Sequence, residues 1–127
     1  MGLDMYLSGE IYFFRLTQEQ LKTQPVEHIY RLGYWRKHPD LHGYIVENFA
    51  NGEDDCRKIE LSACNIRQII EAIRRSELPH TEGFFFGESA NDEAEKAEDI
   101  GILENALHWL GAEDEGTSRF LSYQASW

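Results

Sequence analysis

Residues Gly33–His42 read GYWRKHPDLH, and the chain changes character inside this stretch. Ahead of it, His28–Tyr34 carries Ile29, Tyr30 and Leu32 in a strand-like pattern, with Gly33 as a kink. Behind it, Pro39 fits the first turn of a helix, where its missing N–H does no harm. Leu41, Ile45 and Phe49 then fall near one face of that helix, and Asn51-Gly52 supplies residues tolerant of positive φ to end it. A strand therefore runs almost directly into a helix. The junction itself packs an aromatic pair, two fixed cations and two titratable rings into ten residues.

Working outward, Leu3–Phe14 alternates through Met5, Leu7, Ile11 and Phe13, which predicts one long strand or a hairpin bent at Ser8-Gly9. Thr17–Lys22 is polar and predicts a short helical turn closed by Pro25. Cys56–Leu61 alternates as a short strand. Ser62 has the chemistry of an N-cap, and the helix after it carries Ile66, Ile69, Ile70 and Ile73 as a stripe. Gly83–Gly87, GFFFG, reads as a short buried strand with Phe84 and Phe86 in the core and Phe85 opposite. A third helix is capped by Ser89 or Asn91, shows Ile100, Leu103, Leu107 and Leu110 as its apolar face, and stops at Gly111. Arg119–Ser126 is a final strand. Strands at both ends with helices between them predict an α+β fold: a mainly antiparallel sheet of about four to five strands packed with three helices, the N- and C-terminal strands adjacent. No repeat, linker or low-complexity tract interrupts it, so residues 1–127 are expected to form one domain.

Composition narrows the function classes. Hydrophobic residues make up 42% and aromatics 13%, enough for a packed core. The net charge is −11, and 11 of the 23 acidic residues lie between Glu82 and Glu115 against one basic residue, Lys96. Phosphates would be repelled from that segment, so direct nucleic-acid binding is not expected, while the nearly neutral remainder is free to carry a local basic patch. No apolar run approaches the roughly 20 residues of a membrane span, and the start of the chain lacks a charged and apolar leader. Cys56 and Cys64 make no disulfide framework. A cytoplasmic protein is expected.

The candidate ligand-binding residues are Tyr34, Trp35, Arg36, Lys37 and His42. Arg36 offers a planar fork and Lys37 a mobile charge for an anion. The helix start after Pro39 adds free N–H groups, Tyr34 or Trp35 a stacking face, and His42 a donor or acceptor. The plainer alternative makes Trp35 core and leaves Arg36 and Lys37 to solvate an edge. His38 and His42, at i and i+4, have a spacing that suits a metal with Asp54, Asp55 or Cys56; without CxxC, HExxH or a second His pair, no metal and no cofactor are assigned. Cys56 beside His42 is the barest nucleophile–base pair, and its acidic neighbours disfavour a thiolate, so no catalytic residue is assigned. The acidic helix Asp92–Glu104 either mimics a phosphate rail or is simply solvated.

MGLDMYL at the start, GYWRK with a following LH, NGEDDC, GFFFG and the closing YQASW resemble, together and in order, a family of small proteins of bacteriophages, prophages and bacteria. The resemblance covers almost the whole chain. It implies one compact α+β domain and a phage or mobile-element setting. It makes Tyr34, Trp35, Arg36, Lys37, His42, Cys56, Phe84, Phe85, Phe86, Gly87 and Trp127 characteristic positions, without a catalytic role for any. His38 departs from the pattern, where a small residue is usual, and Ala90–Lys96 diverges as well. The expectation is a non-enzymatic binder of an anionic or nucleotide-like ligand with a host-directed, anti-defence role. Two alternatives stand beside it: an acidic surface that docks on a host protein, and a small hydrolase using His42. A pocket shared across a homo-oligomer is a further expectation.

Overall fold

The computed structural model describes residues 2–13, 27–83, 86–112 and 116–127. Its elements are β1 (Asp4–Phe13), β2 (Glu27–Arg36), α1 (Pro39–Phe49), β3 (Ile59–Leu61), α2 (Ala63–Arg74), α3 (Glu93–Leu110) and β4 (Thr117–Ser126). The four strands form one sheet in the order β2-β1-β4-β3, every neighbouring pair antiparallel. The fold is thus α+β, with the first and last strands side by side as their sequence patterns predict. β1 and β4 pair along their full length, from Asp4 opposite Ser126 to Phe13 opposite Thr117.

The pleat decides which side of the sheet is covered. Met5, Leu7 and Ile11 of β1 share a face with Leu121, Tyr123 and Ala125 of β4, Ile59 and Leu61 of β3, and Trp35 of β2. On that face they join Leu41 and Ile45 of α1, Ile66, Ile69, Ile70 and Ile73 of α2, and Leu103 and Ala106 of α3 in one core cluster. The opposite face is open and carries Tyr12, Tyr34 and Phe120. There Lys58 ion-pairs with the buried Glu10 carboxylate, which also accepts a 2.9 Å hydrogen bond from the Tyr12 hydroxyl.

Leu3–Phe14 is expected as a strand or a hairpin, and β1 is one continuous strand to Phe13. Its irregularity lies in the partner. Leu7 faces Gly33 and Ser8 faces Arg31, so Leu32 is the extra residue of a bulge next to the predicted kink. Gly33 also permits close packing, since a Cβ there would stand 2.6 Å from Ile102 of α3. Ser62 caps α2 as expected, in a reciprocal box with Asn65.

Several expectations are corrected. The strand over Cys56–Leu61 shrinks to Ile59–Leu61, because Cys56 adopts φ +61° and the Arg57 guanidinium closes back on Asp55. The cap of α3 is Asp92, whose carboxylate accepts from the Glu95 N–H, and not Ser89 or Asn91. The described part of GFFFG is no strand: the Phe86 N–H turns back onto the Gly83 carbonyl, and Phe86 is buried. Phe84, Phe85 and the predicted turn Thr17–Lys22 lie outside the described residues. No helix among the described residues is long and apolar enough to cross a membrane.

The tightest approach between sheet and helices tests the packing. A Cβ on Gly9 would sit 2.5–2.6 Å from the Trp109 ring and 2.9 Å from Leu32. Gly9→Ala is expected to cost about 1–3 kcal/mol through overpacking, read as a lower urea midpoint with an unchanged m-value.

Candidate functional site

β2 ends by sending alternate residues to opposite faces. Trp35 enters the core, while Tyr34 and Arg36 point to the open side, where both contact Asp4: the Tyr34 hydroxyl donates at 2.6 Å and the Arg36 guanidinium at 3.3 Å. Lys37 then turns the chain in the left-handed region, at φ +55°, and its N–H donates to the Leu3 carbonyl at 2.7 Å. This turn drops His38 and the first turn of α1 under the rest of the protein. His38, Pro39, Asp40, Leu41 and His42 are all buried.

The two histidines are one helical turn apart but diverge. His38 precedes the helix and faces α3. Its Nε2 lies 2.7 Å from Asp99 Oδ2 and 3.5 Å from Glu95 Oε1, and its Nδ1 lies 2.7 Å from Ser89 Oγ. The other oxygen of Asp99 accepts from the Trp35 indole N–H at 2.9 Å. Glu95 is held by the backbone N–H groups of Ala90 and Asn91. Asp40 ties the loop ahead of α3 down from below: its carboxylate accepts from the Thr81 N–H and the Asn91 amide, and its own N–H donates to Ser89 Oγ.

His42 faces the opposite way. Its Nδ1 is 2.6 Å from the Tyr123 hydroxyl and its Nε2 is 3.0 Å from Asp54 Oδ1, which also accepts from the Trp127 indole. Burial first, and then the charge of Asp54, hold the Tyr123 phenol well above its ordinary pKa. The phenol therefore keeps its proton and donates it to Nδ1, which leaves Nε2–H to donate to Asp54. Both ring nitrogens are thereby committed inside the protein. The metal pairing of His38 with His42 weighed above does not form, because the two rings serve separate networks.

A cleft of about 300 Å³ opens at the first network, lined by Tyr34, Trp35, Arg36, His38, Glu95, Glu98 and Asp99. Three of the five residues proposed from sequence thus border one cavity. The other two do not. Lys37 packs its side chain near Gly87, and His42 belongs to the Tyr123–Asp54 network. A larger hollow of about 630 Å³ lies on the open face of the sheet around Tyr12, Phe120 and the Glu10–Lys58 pair. It is less suited to chemistry than the smaller cleft, where an imidazole and two carboxylates converge.

Ser89, Glu95 and Asp99 were not proposed from sequence. Asp99 left a signal: it stands four residues before Leu103 and seven before Ala106, so a charged residue lies in line with the buried positions of α3. A carboxylate there needs buried partners.

The electrostatics of the cleft are those of an imidazole among acids. Burial pulls the His38 pKa down, but the hydrogen bond to Asp99 and the charges of Asp99, Glu95 and Asp40 outweigh it, so the net shift is upward. No family model, curated protein or solved structure matches this chain.

Two measurements follow from the network. Trp35→Phe leaves an oxygen of buried Asp99 without its donor and is expected to lower stability by about 1–3 kcal/mol, read by urea unfolding. A His38 pKa raised on folding stabilises fully below the unfolded value of about 6.5, and that stabilisation is lost as pH rises through the higher folded value. In chelator-treated protein, the stability difference between wild type and His38→Gln should therefore shrink as pH rises from 6 to 9.

Proposed function

We propose that this chain is a non-enzymatic binding protein and that the cleft between the end of β2 and the start of α3 takes an anionic, nucleotide-like ligand. The observation that carries the proposal is that Tyr34 and Arg36, both exposed at the end of β2, line the same cleft as His38, Glu95 and Asp99. Tyr34 offers a face for stacking and already packs beside Tyr6, with ring centroids 5.3 Å apart. Arg36 is half exposed, and its contact with Asp4 is a surface ion pair. Such pairs are worth about 0–1 kcal/mol, so the guanidinium exchanges partners at little cost and can fork onto a phosphate.

The resemblance of the sequence motifs to small phage and prophage proteins supports a host-directed accessory role, anti-defence included, in the cytoplasm. The docking alternative has weaker support. Of the acids it would present, Asp99 is buried against Trp35 and His38 and Glu95 is bound to backbone amides, while Glu98 faces out. The hydrolase alternative needs His42 as a base, and both nitrogens of that ring are already committed to Tyr123 and Asp54.

A thermal-shift screen of nucleoside mono-, di- and triphosphates, with and without divalent cations, tests the proposal. At least one ligand should raise the Tm, and Arg36→Ala and Tyr34→Ala should each weaken its binding by about tenfold or more, equivalent to about 1.4 kcal/mol. A flat screen, or binding indifferent to both substitutions, overturns it.

A further inference from the structure

We propose that the cleft also holds one divalent transition-metal ion, ligated by His38 Nε2 and by carboxylate oxygens of Glu95 and Asp99. The inference rests on this cleft being the ligand site and deepens it by naming what makes an acidic cavity receptive to an anion. Glu95, Glu98 and Asp99 line the cavity against one guanidinium, and that guanidinium already faces Asp4. An anion entering alone meets mostly negative charge. A bound dication offsets the Glu95 and Asp99 charges and presents a Lewis-acidic centre to a phosphate oxygen.

The two donor–donor edges at His38 Nε2 lie close to the required spacing. One ligand atom from each of the three residues lies within 4.8 Å of the other two. The imidazole nitrogen stands 2.7 Å from one carboxylate oxygen and 3.5 Å from the other. With metal–ligand bonds of about 2.0–2.2 Å, donor–donor edges of roughly 3.0–3.5 Å are needed, so the observed pair brackets the target within a few tenths of an ångström. The donor set of one nitrogen and two oxygens suits zinc and its first-row neighbours. Three protein ligands would leave a coordination position open to another donor.

The surrounding hydrogen bonds orient the donors as second partners do at metal centres. His38 Nδ1 reaches Ser89 Oγ, which fixes the ring and turns Nε2 toward the carboxylates. The Trp35 indole holds Asp99 Oδ1, leaving Oδ2 to face the imidazole. The amides of Ala90 and Asn91 hold Glu95. A metal ion would take the place of the proton shared by His38 Nε2 and Asp99 Oδ2, which stand 2.7 Å apart. A proton satisfies Asp99 alone, whereas a metal ion engages Glu95 as well.

The decisive experiment is isothermal titration of Zn²⁺ into the chelator-stripped full chain at pH 7, in a Cys64→Ser background that removes the exposed thiol. One ion per chain should bind. Glu95→Gln should weaken it at least tenfold and His38→Gln should abolish it. His80→Ala, which breaks the exposed His80–Glu82 pair, should leave it unchanged. Glu95→Gln keeps the side-chain shape and one of the two oxygens that accept from the Ala90 and Asn91 N–H groups, so its metal-free melting temperature verifies the fold and this variant decides the outcome if His38→Gln does not fold. Absence of a saturable 1:1 isotherm, indifference to Glu95→Gln, or loss with His80→Ala overturns the inference. The two proposals fail separately. Zinc bound normally alongside a flat nucleotide screen removes the anionic ligand and keeps the metal. Nucleotide binding that survives chelator and Glu95→Gln removes the metal and keeps the ligand.

Discussion

The Asp99 carboxylate, buried between the Trp35 indole and the His38 imidazole, is the contact on which the arrangement of the molecule depends. It ties the junction of β2 and α1 to the second turn of α3, some 60 residues further along the chain. A charge in that position is tolerated only because both oxygens are engaged. Leaving a buried carboxylate without its ionic partner costs about 3–5 kcal/mol, and losing the neutral indole donor costs about 1–3 kcal/mol. The position of α3 on the sheet is therefore set by polar geometry as much as by Leu103 and Ala106.

The same logic extends along the first turn of α1. His38, Asp40 and His42 are all buried and polar, and each reaches a different part of the chain: α3 and Ser89, the loop through Thr81 and Asn91, and β4 with the Asp54 loop. One helical turn thus anchors Asp54, Thr81, Ser89 and Asn91, which lie outside the helices and strands. Pro39 starts that turn without a wasted donor, and Lys37 in the left-handed region aims it inward. Positioned in this way, the start of the turn contributes His38 to the cleft, beside Tyr34, Trp35 and Arg36 of β2. Rigid elements hold the polar groups, and exposed aromatic and guanidinium side chains stand at the entrance, an arrangement suited to binding.

Much of the architecture was legible from periodicity. The alternation of β1 and β4, the isoleucine stripe of α2, the Ser62 cap and the Pro39 start each correspond to an observed feature. The misses have local causes. At Cys56 a positive φ and the Asp55–Arg57 clasp override alternation that favoured a strand. At GFFFG the flanking glycines and aromatics suggested a strand, yet the Phe86 N–H bonds the Gly83 carbonyl and Phe86 sits in the core. Grouping Arg36, Lys37 and His42 by nearness in sequence overlooked two reversals of direction, the strand pleat and the left-handed turn.

Residue spacing by itself determined the run of strands and helices and their apolar faces, because period two and period 3.6 are properties of local backbone geometry. It also marked Tyr34, Trp35 and Arg36, which do border the cleft. Only the tertiary structure decided which titratable groups meet. His38 finds Asp99 and Glu95 some 60 residues away, and His42 finds Tyr123 across the core. Such pairings follow from how a helix is seated on a sheet, and no local pattern encodes that distance.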